Sequence, residues 1–428
     1  MITAHDMAAR AAIPAAVYAP SALPYASAPI AVQFRERLLH VVLYITVLLS
    51  SVAFIEPSPH DALMGVLAVA GLVAGIRFPR LLVLPFLLLM LWNVAGLSAA
   101  IQVTGEDKVI QYVITSFYLA IAALLFAMIF SDNTMARLAT MRSAYILTAA
   151  IVSIVGAIGY FRVFPGAEMF TLNGRAQGFF KDPNVYGPFL ILPALFLLER
   201  MLRVRIDFKT VCFTGVILFG ELLSFSRGSW FHFAVSLSVV IALSFLVAPT
   251  PQARTRILSL TIAGVAALAV LLVALLSIDS IGGMFKERAQ LIQHYDVGQG
   301  GRFLLQEKAL SAVLDFPNGM GPFEFARVYG LQQHNVYLQV FLVYGWIGAL
   351  AYILLLIATC WIGLRTALKR TPWQGYSIAA LGAFVGEMAE GFIIDTDHWR
   401  HFFLILGIIW GLAAASHTAQ QTNAVSTS

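Results

Sequence analysis

Charge is what this chain has least of. Only 11% of its 428 residues are Asp, Glu, Lys or Arg, against 60% hydrophobic residues, too apolar a balance for a surface that faces water on all sides. Over most of its length the solvent must therefore be lipid. Cysteine is as scarce: Cys212 and Cys360 each sit alone inside an apolar run, which points to neither a disulfide framework nor a metal site. There is no nucleotide-binding glycine loop, no zinc-type His/Glu pair on a helix, and no acidic cluster of the kind that holds a nucleotide sugar's cation. A cytoplasmic nucleotide-sugar enzyme is disfavoured, and no metal or other cofactor is expected. An internal repeat with broken helices at matching positions is also lacking, which weakens the case for a secondary transporter.

What the chain does have is apolar runs, following one another from Leu38 almost to the C-terminus. A spanning helix needs roughly 20 mostly apolar residues, and only helices satisfy their own backbone groups in lipid over such runs, since barrel strands would alternate instead. The expectation is an all-α, polytopic membrane protein of about twelve transmembrane helices. The runs lie near 38–55, 62–76, 81–101, 109–130, 145–162, 186–198, 210–225, 229–247, 257–276, 337–364, 376–393 and 401–416. Residues 1–37, rich in Ala and Pro and lacking a basic n-region followed directly by an apolar core, read as a disordered cytoplasmic tail. Residues 38–276 then hold helices one to nine, 277–335 a long periplasmic loop, 336–416 the last three helices, and 417–428 a second cytoplasmic tail.

Orientation follows from the connecting segments. With the N-terminus inside, 16 of the 27 Lys and Arg residues fall on the cytoplasmic side, which predicts an inner-membrane protein with both termini cytoplasmic. The formal charge of +5 is then accounted for by membrane lipids, with no nucleic acid partner. Basic residues left on the translocated side work against that bias and need a reason to be there. They gather in three segments: about 163–185, the turn Ser226-Arg227-Gly228, and 277–335.

In the longest of these, Met284–Ile292 and Arg302–Leu310 have helical periodicity with mixed charge, and read as amphipathic helices over the membrane mouth with Leu304, Leu305, Leu310 and Val313 facing down. His334 follows, where the chain re-enters the membrane. A neutral imidazole there can take a proton from a sugar hydroxyl, although an interfacial cap is an equal reading from composition. Asn335 is the better cap by preference. Arg175, Arg227 and Arg302 each adjoin a glycine; glycine admits close backbone approach and a guanidinium grips phosphate oxygens bidentately, so three on one side suit a phosphate-bearing lipid head. Asp182-Pro183-Asn184 starts a helix, with capping ahead of ligand contact. Glu221, Glu387 and Glu390 lie in apolar runs, the last two on one helix face, positioned for a proton path or for buried donors. The turn holding Asp395, Asp397, His398 and Arg400 could bring an acid to His334.

Several of these segments together resemble the O-antigen ligase and O-antigen polymerase superfamily of bacterial membrane glycosyltransferases. Gly178–Gly187 with its Asp182-Pro183-Asn184, the Ser226-Arg227-Gly228 turn, Gly301-Arg302 and Gly319-Met320-Gly321 are similar to that family's motifs, in order. His334-Asn335, followed after nine residues by Gly345 and after two more by Gly348, is similar to the ligase pattern. The resemblance implies a metal-independent, inverting enzyme that moves a glycan from undecaprenyl pyrophosphate to an acceptor hydroxyl at the periplasmic face. It implies that Arg227 and Arg302, supported by Arg175, hold the pyrophosphate, that His334 activates the acceptor, and that Asp182, Asn184, Asn335 and Asp395 contribute to substrate binding. Three readings stay open. A ligase acting on a lipid A core is put first on the His-Asn spacing; a polymerase extending O-antigen or exopolysaccharide from the same donor is second; a non-catalytic lipid or polysaccharide transporter is third.

Overall fold

The computed structural model describes residues 29–103, 107–288 and 301–426. The expected tail falls mostly outside them, as do residues 289–292 of the first loop helix. The first half comprises α1 (Ile30–Leu48), α2 (Pro59–Ala74), α3 (Val83–Ala100), α4 (Asp107–Phe130), α5 (Thr134–Tyr160), a hairpin of β1 (Thr171–Leu172) and β2 (Arg175–Ala176), α6 (Pro183–Arg203) and α7 (Phe208–Leu223). Then come α8 (Arg227–Leu246), α9 (Pro251–Leu276), α10 (Asp279–Arg288), α11 (Arg302–Asp315), α12 (Glu324–Tyr329), α13 (Val336–Ala367), α14 (Gln374–Glu390) and α15 (Arg400–Ser426). The architecture is all-α and polytopic, and each of the twelve expected runs is seated on a helix. Among the described residues, eight helices are long and apolar enough to cross a bilayer: α3, α4, α5, α6, α8, α9, α13 and α15. Of the others, α1 carries Arg35, Glu36 and Arg37 in its first half, while α2, α7 and α14 have 16, 16 and 17 residues. The outermost helices overrun their expected limits, α1 beginning at Ile30 and α15 continuing to Ser426.

The bundle is held by close helix pairs: α8 with α14, α3 with α13, and α4 with α15. Without a hydrophobic drive between helices in lipid, such pairs need small residues that let the backbones approach. Gly382 and Gly386 do this for α14, where a Cβ would come within 2.9 Å of the Ser236 carbonyl oxygen and 2.6 Å of the His232 carbonyl oxygen on α8. The start of α6 meets that of α8 where Ser226 Oγ donates to Asn184 Oδ1, the start of α8 meets the end of α14 at Gly228 and Glu390, and the start of α13 joins the end of α14 where Val336 N donates to the Gly391 carbonyl at 2.8 Å.

The loop helices differ from expectation in one respect. The buried stripe of α11 is Leu305, Ala309, Ala312 and Val313, whereas Leu310 is exposed. Helical spacing explains it: the 305–309–312 stripe turns residue 310 to the opposite face. The stripe packs with Phe325 and Leu342 and places α11 on the body of α13.

Candidate functional site

The site begins with a turn. Asn173 and Gly174 have φ of 51° and 73°, the left-handed pair that closes a two-residue hairpin, and they pair Leu172 with Arg175. Arg175 thereby points at two other segments. Its Nε donates to the Ser224 carbonyl oxygen at 2.8 Å and its Nη2 to Asn184 Oδ1 at 2.7 Å, and the same Oδ1 accepts from Ser226 Oγ at 2.9 Å. Asp182 and Ser226 are both helix N-caps. Asp182 Oδ1 accepts from Asn184 N at 2.8 Å, with Pro183 in the first helical position, and Ser226 Oγ accepts from Ser229 N at 3.3 Å. Arg227 follows as the first residue of α8. Thus Arg175, Asp182, Asn184 and the start of α8 form one cluster.

A second cluster forms where α13 begins. Asn335 caps it, its Oδ1 accepting from Tyr337 N at 3.0 Å and Leu338 N at 3.2 Å, which leaves His334 outside the helix at φ 50°. Asp395 comes up from the turn after α14: its Oδ1 accepts from Asn335 N at 3.0 Å, and its Oδ2 stands 3.8 Å from His334 Nδ1, within ion-pair range and beyond a hydrogen bond. Gln333 Nε2 donates to Gln339 Oε1 at 2.6 Å, tying the same turn to α13. Arg302, at the first position of α11, acts by its charge on both His334 and Asp395. Asp182 acts by its charge on His334 and so links the two clusters.

The electrostatics favour a neutral imidazole. Burial holds the His334 pKa below its ordinary value and the charge of Arg302 adds to this, against the opposing pull of Asp182. Burial pushes the Asp395 carboxyl up to about 7, helped by the neighbouring Asp397 and opposed by the Asn335 amide and Arg302. At neutral pH the imidazole is free to accept a proton, and the adjacent carboxylate is in position to stabilise the cation that results.

All eight sequence-predicted site residues lie in or beside these clusters. One network escaped the sequence reading. Asp397 Oδ2 accepts from Tyr112 of α4 at 2.9 Å and Tyr344 of α13 at 3.2 Å, and lies 3.0 Å from His398 Nδ1; His398 Nε2 reaches Ser116 Oγ at 2.9 Å. Burial raises the Asp397 pKa, but His398 and the two tyrosines outweigh it and keep the group ionised. The Asp-His pair in the turn was the available signal, while its partners, 285 residues away for Tyr112, gave none. The buried carboxylates are spoken for in part: Glu390 Oε2 is 2.8 Å from His232 Nδ1, and Glu221 Oε1 accepts from Ser229 Oγ at 2.7 Å.

The pattern from His334 to Gly348 has a structural half. Gly345 interrupts α13 at φ 65°, ψ −177°, and a Cβ there would stand 2.7 Å from the carbonyl carbon of Asn318. Its bareness lets the Pro317–Gly321 turn dock on the helix, with Met320 N donating to the Leu342 carbonyl at 2.6 Å and Trp346 N to the Pro317 carbonyl at 2.9 Å.

Among curated proteins none matches the chain. Against family models, residues 212–353 match the model described as O-antigen ligase, a stretch that contains Arg227, Arg302, His334, Asn335, Gly345 and Gly348 and stops short of Arg175, Asp182, Asn184 and Asp395. That match, from α7 to the middle of α13, supports the O-antigen ligase and polymerase superfamily for this stretch.

Proposed function

We propose that the protein is a glycosyltransferase of the ligase type, moving a glycan from undecaprenyl pyrophosphate to an acceptor hydroxyl, such as one on a lipid A core, at the periplasmic face of the inner membrane. Both termini are then cytoplasmic. The observation that carries the reading is the meeting of His334, from within the matched stretch, with Arg302 and Asp395.

In the reaction the acceptor oxygen attacks the anomeric carbon from the face opposite the leaving group. The bond from that carbon to the pyrophosphate oxygen breaks, and its electron pair stays on the pyrophosphate. The acceptor's proton passes to His334, and the Asp395 carboxylate stabilises the imidazolium. Arg227 and Arg302, with Arg175 behind them, offset the charge that grows on the pyrophosphate, an electrostatic role of the kind that commonly contributes most to catalysis. Asn184 and Asp182 hold Arg175 and the start of α6, and Asn335 holds the turn on which His334 sits.

The test is transfer in reconstituted membranes, with an undecaprenyl-pyrophosphate-linked glycan as donor and either lipid A core or a second carrier-linked unit as acceptor. Loss of a general base predicts a fall in kcat of about 100- to 10,000-fold for His334→Ala, with donor binding retained. Product on the lipid A core supports a ligase, and product only on the second carrier replaces it with a polymerase. No transfer to either acceptor, by folded protein that binds donor, would overturn both in favour of transport.

A further inference from the structure

A second cavity opens beside the site, on the other side of α6. It holds about 180 Å³, space for on the order of ten water molecules, below the roughly 300–1,000 Å³ of drug-sized ligand sites and on the scale of a single sugar ring. The N-terminal turns of α6 form the dividing wall. Asp182, Val185 and Phe189 face the cavity, whereas Asn184 faces Arg175 and Ser226, and Gly187 packs on Ser229 and Glu221. The cavity is thus separate from the arginine cluster but shares Asp182 with it.

Its lining selects a ligand class. Phe126, Tyr145, Phe189 and Trp399 line it, apolar rings of the kind that suit the C–H surfaces of a sugar, and the buried His401 Nε2 in its wall has no hydrogen-bond partner among the described residues, whereas both His398 nitrogens are taken by Asp397 and Ser116. The cations at the rim are already matched by acids. Lys181 Nζ lies 2.7 Å from Glu56 Oε1, and Arg400 grips Asp61 in a bidentate pair at 2.8 and 2.7 Å. A pyrophosphate would find those charges neutralised; an uncharged polyol would find a wall of donors and acceptors beside apolar rings.

The geometry points to this cavity as the seat of one sugar ring of the acceptor, with the reacting hydroxyl reaching past Asp182 toward His334. This inference rests on the glycosyl-transfer reading and gives the acceptor a place distinct from the donor's. It also assigns the Lys181–Glu56 pair to the entrance, where it meets the incoming glycan.

Ala53 lines the cavity and is half-buried, so a larger side chain there fills the space without entering the arginine cluster. The test is a series at this position, Ala53→Ser, Ala53→Phe and Ala53→Trp, in full-length protein in lipid nanodiscs, each confirmed folded by thermal unfolding. Fluorescently labelled lipid A core and carrier-linked repeat unit are titrated without donor, and KM is then measured separately for donor and acceptor. The expected result is a graded loss of acceptor binding, about tenfold or more at Trp, with acceptor KM rising in step and donor KM within about twofold. Unchanged acceptor binding across the series overturns the inference, and so does a rise confined to donor KM. If the wild type transfers nothing yet binds a labelled glycolipid that the Trp variant rejects, the reaction reading fails and the saccharide site stands.

Discussion

His334 is held with a left-handed backbone, a conformation that costs a residue with a Cβ about 1–3 kcal/mol. The fold sustains it because Asn335 is fixed on both sides, by its cap to α13 and by Asp395 on its amide. The same Asp395 gives the site a pH signature. Its carboxyl is raised to about 7, so it is ionised above that pH and protonated below, whereas His334, held under its usual value, stays neutral to lower pH. As pH falls through about 7 the imidazolium formed in the reaction loses its stabilising partner, and kcat should decline before His334 itself is protonated. Asp395→Asn should therefore lower kcat at pH 8 and remove the step near pH 7, leaving only the more acidic limb. A pH–rate profile of both proteins checks this, and an unchanged step in the variant rules out Asp395 as its source.

At the scale of elements, most of the fold was legible. Apolar runs bounded by charges located each membrane helix, because the length of an apolar run is fixed by the bilayer and written directly in composition. The glycine pair after His334-Asn335 was legible as a spacing but not as a cause, since the docking of the Pro317–Gly321 turn onto α13 depends on approach between distant backbones. Gly345→Ala should destabilise the protein by at least the ~1–3 kcal/mol of a left-handed non-glycine residue, and more if the turn is displaced. Lower thermal stability with the site otherwise competent is the expected outcome; wild-type stability would mean the turn tolerates a side chain. The Tyr112–Asp397–His398 network was not legible, because its members lie on α4, α13 and the turn before α15 and share no sequence period. The exposed Leu310 shows the finer limit: hydrophobicity placed a helix, and only its contact surface decided which face turned inward.

For the whole molecule the orientation is the first thing to fix, since every role assigned to the arginines presupposes the periplasmic side. In a background with Cys212 and Cys360 replaced by serine, a cysteine at exposed Leu331 should react with a membrane-impermeant thiol reagent on intact spheroplasts. One at exposed Gln252 should react only after permeabilisation. The reverse pattern inverts the assignment. One helix gives the molecule a further property. Only 6% of the apolar stretch of α9 is buried inside the protein, so lipid, more than neighbouring helices, sets its position. Its apolar run, 257–276, extends about 30 Å at 1.5 Å per residue, close to the roughly 30 Å of hydrocarbon, while the first turns with Arg254 and Arg256 project beyond it. In a membrane of another thickness the mismatch must be met by tilt, by projection or by local deformation of the bilayer. Because α9 leads into α10, whose Phe285 stacks on Trp230 of α8, acyl-chain length becomes an input to the proposed site: a thinner or thicker membrane re-aims the helix and, through it, the contacts at the start of α8.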